Sequence, residues 1–324
     1  MADVLGFSSR ALIGTFYQTL EAGLASSWMA AVSFLVTSQQ KVEQYKWLGM
    51  APAVRQWIAG RHPQGLRGDA YSLENLKFEA TLDIEVDDLN RDKTGQILLR
   101  VQEMADRVNE HWEVLGSAGI ALGESALCYD GKPFFAVDHE EGKSGVQLNL
   151  LAAAQVPALE VVTATAPTPA EMAQAILGCI GYQYNFLDDQ GQPMNGQARQ
   201  FMVQVPVSLF VPALAAVSAP VLTTAGGAAA DNLLIKAMQG NGFQVGVVVN
   251  PLLNAWTVNF AVLRTDARAK PLIRQEEYGV KVSAKAEGSE YEHDTDRHQY
   301  GIKASRNVGY GYWQYALKAT LSAA

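Results

Sequence analysis

A chain of 324 residues in which 48% are hydrophobic and 18% charged has the composition of a folded protein with a sizeable core, which excludes a disordered class. No apolar run approaches the roughly 20 residues of a membrane helix, so a soluble protein without membrane contact is expected. Thirty-three acidic against 25 basic residues give a formal charge of -8, and the absence of a Lys/Arg-rich run argues against tight nucleic-acid binding.

The N-terminal text MADVLGFSSRALIGTF lacks the basic start, continuous apolar stretch and cleavage site of a secretory signal, so cytosolic synthesis is expected. Leu12, Phe16, Leu20 and Leu24 recur every four residues as on one helical face, followed by the apolar Trp28 to Val36 run. This reads as a helical arm whose stripe covers either its own core or a neighbour. From Tyr45 the text is punctuated by Gly49, Pro52, Gly60, Pro63, Gly65 and Gly68 without helical or strand period, a bent connector.

LKFEATLDIEV then alternates strictly, with Leu76, Phe78, Ala80, Leu82, Ile84 and Val86 on one side and Lys77, Glu79, Thr81, Asp83 and Glu85 on the other. Period two predicts a strand, and the neighbouring Glu74, Asp87, Asp88 and Asp92 make the segment acidic. It reads as one arm of a projecting hairpin, which needs a partner surface for its apolar face. Past the turn at Asp92 to Gly95, Ile97, Val101, Met104, Val108, Trp112 and Leu115 fall three and four apart, predicting an amphipathic helix about 30 Å long.

The stretch YDGKPFFAVDHEEG, residues 129 to 142, crowds Tyr129, Asp130, Lys132, Asp138, His139, Glu140 and Glu141 together. A hydrolase built on Asp130, Asp138, His139 and Glu140 is one reading. No GxSxG, zinc motif or phosphate-binding glycine loop accompanies it, and Asp130-Gly131 is a tight-turn signal. Phe134 and Phe135 read as aromatic anchors that bury about 150 to 250 Å² each, and DHEEG as a polar loop. Cys128 and Cys179 lie outside any CxxC and read as small buried hydrophobes, with no metal implied.

Thr168, Pro169 and Glu171 form a capping box, so a helix follows that buries Met172, Ile176, Cys179 or Ile180 and stops near Gly181. LDDQGQPM (187–194) lacks the ligand spacing of a calcium loop and reads as a turn. Residues 201–214 read as a strand running into a helix, 223–232 as a flexible surface loop, and 243–253 as a buried strand. From residue 270 two long strands flank the polar tip EGSEYEHDTDRHQ, where solvation accounts for His293 and His298 without a metal. Strands and helices interleave in an α+β pattern.

This order of pieces resembles the major capsid proteins of tailed phages, the Hong Kong 97-type fold shared with encapsulin compartments. More specifically, it is similar to the major head subunit family of Mu-like phages. YKWLGMAPAVRQWIAG (45–60), ENLKFEATLDIEVDDL (74–89), YDGKPFF with the following His139, MVQVPVSL (202–209), NPLLNAW ending at Trp256 and KPLIRQ (270–275) carry the resemblance. It implies an N-terminal arm and connector (1–52), an extended hairpin loop (53–95), a peripheral domain (96–150 and 271–324) with a long spine helix, and an axial domain (151–270). It also makes Tyr129, Asp130, Gly131, Phe134 and Phe135 a structural turn.

The function implied is a head subunit that self-assembles as hexamers and pentamers into an icosahedral shell around double-stranded DNA, held without specific binding. Such a shell is made in the bacterial host cytoplasm and becomes part of the virion. The implied partners are other copies of the chain, a scaffold protein, a portal, a decoration protein and a maturation protease. No catalytic residue, cofactor or metal is implied. Trp47, Trp57, Leu76, Phe78, Leu82, Ile84, Glu79, Asp83, Glu85 and Asp88 are candidate subunit contacts, with Trp112 a further aromatic anchor. Glycines 60, 65, 68, 226 and 227 are candidate hinges. An encapsulin-like compartment and the hydrolase are the alternative readings. Deleting residues 70–90 is expected to leave a folded subunit that makes no normal shell.

Overall fold

The computed structural model describes residues 9–23, 27–45, 71–92, 95–224 and 226–324. Trp47, Trp57 and glycines 60, 65 and 68 lie outside the described residues, as does most of the bent connector.

The arm pattern becomes helix α1 (Ser9–Gly23), and its buried Leu12 and Phe16 seat on the chain's own core. They pack among Val101, Ala105 and Val108 of the long helix and Tyr300 and Ile302 of a C-terminal strand. The Ser9 backbone N–H donates to Glu287 Oε1 at 2.9 Å, and Asn109 Nδ2 donates to the Leu20 carbonyl at 3.2 Å, so both ends of α1 are tied down. Gly23 permits that approach, since a Cβ there would lie 2.2 Å from Asn109 Nδ2.

Strands β1 (Ser33–Thr37), β2 (Val42–Tyr45) and β3 (Tyr71–Glu74) follow, with β2 and β3 pairing antiparallel across the residues between them. The alternating segment forms β4 (Leu76–Glu85). The turn signal after it does not close a hairpin. Val86–Arg91 is a short helix with Asp87 and Asp88 in its first turn and an Arg91–Asp87 pair at 2.6 Å, a charge order that suits the helix dipole. Asp92 then caps the long helix α2 (Gln96–Ala121), its carboxylate accepting from the backbone N–H of Gln96 and Ile97 at 3.1 and 2.8 Å. At 26 residues α2 is about 39 Å long, one and a half turns or more beyond the length read from the sequence.

The partner of β4 comes from the other end of the chain. Strands β8 (Leu272–Lys285) and β9 (Arg297–Tyr310) form a ribbon of 14 residues a side, with a short helix, Glu290–Thr295, in its tip. β4 lies antiparallel to β9 with Ile84 opposite His298 and Phe78 opposite Ala304. β1 lies parallel to β8, giving the order β1-β8-β9-β4. His298 is not a solvated tip residue: it is buried, with Nε2 3.0 Å from Glu292 Oε1.

The middle of the chain builds a second layer. The expected capping box is present at α3 (Pro169–Gln183), with the Glu171 N–H reaching Thr168 Oγ1 and the Thr168 N–H reaching Glu171 Oε2 at 2.8 Å. α3 buries Met172, Ile176, Cys179 and Ile180 and runs two residues past Gly181. With α4 (Phe210–Ser218) and α5 (Leu233–Asn241), it covers a sheet of β5 (Gln200–Val205), β6 (Gln244–Val249), β7 (Asn259–Arg264) and β10 (Ala316–Thr320). The order is β6-β5-β7-β10, followed by Leu150–Leu151. The β6 strand, expected to be buried, is instead an edge strand in which Gln244 and Gly246 are exposed and only Val245 is fully buried. The expected loop at 223–232 is largely a hairpin, Val221–Thr223 against Ala229–Asp231. β10 and Leu150–Leu151 join this sheet from both sides of the expected peripheral–axial boundary.

Candidate assembly surface

The apolar face of β4 is only half covered. Leu76 is 43% exposed, Phe78 and Leu82 are half-buried, and Ile84 is closed off inside the subunit with Leu89 and Val101. Leu76, Phe78 and Leu82 therefore keep part of their apolar surface open, whereas Ile84 belongs to the core. Of the acidic candidates, Asp83 and Glu85 face Arg297 at 3.4 and 3.8 Å across the β4–β9 pair, and Asp83 also accepts from the Tyr291 hydroxyl at 3.2 Å. Glu79 accepts from Thr81 Oγ1, and Asp88 is exposed in the first turn of its helix.

Between β4, β9 and α2 runs an open groove of about 410 Å³. Phe78, Ala80, Leu82 and Ile302 line it from the sheet and Met104 and Val108 from the helix. Phe78 meets the His111 ring edge-on at 4.3 Å. The His111 pKa is lowered to about 4, by burial first and by the Arg306 charge second, so its Nδ1 is free to accept from Arg306 Nε at 3.1 Å. Trp112 is buried, with the guanidinium carbons of Arg306 and Arg274 4.8 and 5.8 Å from its ring.

The loop YDGKPFFAVDHEEG contains the tight turn: Gly131 takes φ +79, Leu127 bridges to Pro133, and Phe134 and Phe135 are fully buried. Its second half is not a solvated polar loop. His139 and Glu141 are buried and joined to residues from the far end of the chain. His139 stacks flat on Trp313 at 4.0 Å, with Nδ1 2.6 Å from Asp130 Oδ2 and Nε2 3.2 Å from Asn149 Oδ1. The Asn149 amide orientation follows from its other bonds: Oδ1 accepts from the Ala136 N–H and Nδ2 donates to the Phe134 carbonyl. Both ring nitrogens of His139 thus face oxygen atoms, Asp130 Oδ2 on one side and Asn149 Oδ1 on the other.

Burial alone would raise the Asp130 pKa, but the bonds from His139, the Cys128 thiol and the Lys132 N–H outweigh it and hold the carboxyl below its usual range. Glu141 shifts upward because burial dominates, even though Tyr129, Trp313 and Gln314 all donate to its Oε1. Cys128, Asp130 and His139 also form a cluster of three metal-ligand types within 4.8 Å. Two ligands of a tetrahedral zinc stand about 3.3 to 3.7 Å apart, given bonds of about 2.0 to 2.3 Å. Here the neighbouring atoms are 2.6 and 2.9 Å apart, hydrogen-bond distances, and burial raises the Cys128 thiol. The cluster is a hydrogen-bonded brace. The four hydrolase candidates do not converge on a pocket either: Asp138 is exposed and paired with Lys132, and Glu140 is exposed.

A long helix across a four-stranded sheet, with a helix-covered second sheet beyond it, is the Hong Kong 97-type capsid fold. The procapsid of bacteriophage JBD30 superposes with a TM-score of 0.55 over 97% of this chain and 75% of that one, at 21% identity. A virus-like particle from Pyrococcus furiosus superposes at 0.52 over 96% and 98%, at 9% identity, and both likenesses show the fold alone. The chain belongs to the Mu-like prophage major head subunit gpT family, which it matches over residues 9–164 and 235–324. It is 28% identical over 144 residues to the Mu-like prophage FluMu major head subunit of Haemophilus influenzae, covering 44% of this chain and 47% of that protein. It is 30% identical over 134 residues to the major capsid protein of Escherichia phage Mu, covering 41% and 44%. The chain thus spans about half the length of the curated relatives it matches.

Proposed function

We propose that the chain is the major head subunit of a Mu-like phage or prophage, self-assembling as hexamers and pentamers into an icosahedral shell around double-stranded DNA. The observation that carries this reading is the family match, which runs through α1, β4, α2 and the β8–β9 ribbon and so covers the four-stranded sheet and the two helices packed on it. Residues 96–150 and 271–324 act as the peripheral domain and 151–270 as the axial domain. Exposed Leu76, together with Trp47 and Trp57, supplies subunit contacts, while Phe78 and Leu82 face the groove between α2 and β4. Scaffold, portal, decoration protein and maturation protease are the partners such a shell uses, and its net charge of -8 suits a wall that contains DNA without gripping it. The role is structural, with no bond-breaking step. An encapsulin-like compartment shares the fold, but the sequence likeness is to head subunits.

Mass photometry and negative-stain electron microscopy of the purified chain, alone and with its scaffold, test the reading. Pentamers, hexamers or closed shells are expected. A persistent monomer or dimer under every condition would overturn it.

A further inference from the structure

The groove between α2 and β4 combines three features that separately mean little. The first is its sign. Four cations line it against two carboxylates, a net +2 on a chain of -8. Arg100 and Glu103 pair with each other at 3.0 Å, which leaves Arg107, Lys303 and Arg306 with Glu79 in the groove itself, while Asp106 and Glu110 stand beside Arg107 on its outer rim.

The second is the state of Arg306. It is 4% exposed, yet its hydrogen bonds go to the neutral ring of His111 and the Val108 carbonyl, and it forms no ion pair with any described residue. Glu276 opposes it across the β8–β9 register without coming within ion-pair distance. A buried guanidinium is ordinarily matched by an anion, and this one lines an open groove. The third feature is the wall itself. β4 is the end strand of its sheet, so along its outer side the main-chain N–H and C=O groups have no strand partner among the described residues.

An apolar floor, a free strand edge and an unmatched buried cation together describe a receptor for an extended acidic peptide. Its main chain adds to β4, its alternate apolar side chains enter the groove, and a carboxylate reaches Arg306. A second copy of this chain is a poor donor. Its described acidic stretches are built into β4, the Val86–Arg91 helix and the ribbon tip, and residues 46–70 carry Lys46, Arg55, Arg61 and Arg67 against Asp69 alone, the wrong sign. We propose that the α2–β4 groove is the docking site for an acidic, apolar, extended segment of a different protein chain, which goes beyond the shell-forming role.

The test is fluorescence anisotropy with the full chain and a labelled octapeptide of alternating Leu and Glu, compared with the same peptide carrying Gln for Glu. The Glu peptide is expected to bind at least about tenfold more tightly, as a desolvated interfacial charge pair requires, and to weaken with added salt. Ala80→Trp plugs the groove from an exposed position and Arg107→Glu reverses an exposed rim charge, so both leave the core intact while each is expected to weaken binding about tenfold. Arg306→Gln is expected to bring the two peptides to equal affinity. Equal affinity of the two peptides for the unmodified chain overturns the proposal, as does binding that Ala80→Trp leaves unchanged. It also fails if the groove proves to be occupied by another copy, seen as concentration-dependent self-association that excludes the peptide and disappears in Ala80→Trp.

Discussion

Replacing Asn149 with leucine removes the polar centre of the loop core while keeping the side chain's branching and heavy-atom count. In the native chain the Asn149 side chain serves the Ala136 N–H at 2.9 Å, the Phe134 carbonyl at 2.8 Å and His139 Nε2 at 3.2 Å, all with no exposure at Asn149 itself. Longer bonds to the Ala316 and Trp313 carbonyls, at 3.2 and 3.4 Å, tie the loop to the C-terminal strand. Each of the three main partners left unmatched in a dry site costs about 1 to 3 kcal/mol, and partial relaxation brings the sum to about 3 to 6 kcal/mol. Against a typical stability of about 5 to 15 kcal/mol that is a large share. Urea unfolding at neutral pH, followed by tryptophan emission because Trp313 stacks on His139, measures the loss. A loss below about 1 kcal/mol with an unchanged denaturant slope would refute the account of Asn149 as the keystone of this core.

Asp130→Asn should be less stable than the native chain at pH 7. A carboxyl held below its usual range contributes stability above the unfolded value of about 4 and loses it as the pH falls through the depressed native value, so the gap should narrow below about pH 4. A gap that stays constant down to pH 3 contradicts the assignment. Thr168→Ala opens the capping box of α3 and should cost about 1 kcal/mol, roughly 1 to 2 °C in melting temperature, while Thr168→Ser should restore most of it. Gly311→Ala places a Cβ 2.2 Å from the Lys270 carbonyl oxygen, a backbone atom that cannot swing aside, and should cost about 1 to 3 kcal/mol or more by thermal unfolding. Deleting residues 70–90, expected from the sequence to leave a folded subunit, should instead unfold it, since the deletion removes buried Leu73, Ile84 and Leu89 along with β4; a well-folded, monomeric deletion product would contradict the sheet order.

What could be read from the sequence was local. The Thr168 capping box, the alternation of β4, the stripe of α2 and the Asp130-Gly131 turn each depend on residues a few positions apart. The partner of β4 was not legible, because an alternating strand announces a face to be covered and not which strand lies beside it. The burial of His139 was hidden for the same reason: its stacking partner is Trp313 and its orienting residue Asn149, neither of them part of the loop. One clue stood in the text. Asn149 is a single polar residue among Leu148, Leu150 and Leu151, and a lone amide in an apolar run is a signature of a buried hydrogen-bonding duty. Arg306 gave no such signal, because a basic residue near the end of an alternating strand looks like any solvated one.

The order β1-β8-β9-β4 has a consequence for synthesis. Ser33 sits beside Leu272 and Ile84 opposite His298, so the sheet that carries α1 and α2 is knitted from opposite ends of the polypeptide. A ribosome that has released only the first two hundred residues has exposed both outer strands and neither inner one. The half-made chain holds Leu82 and Ile84 uncovered until the ribbon emerges, the interval in which unpaired edges are most prone to mispair with a neighbouring nascent chain. The same arrangement acts as a length check: a chain broken off before Arg297 lacks the strand that β4 needs, and so leaves the apolar face of β4 without its sheet.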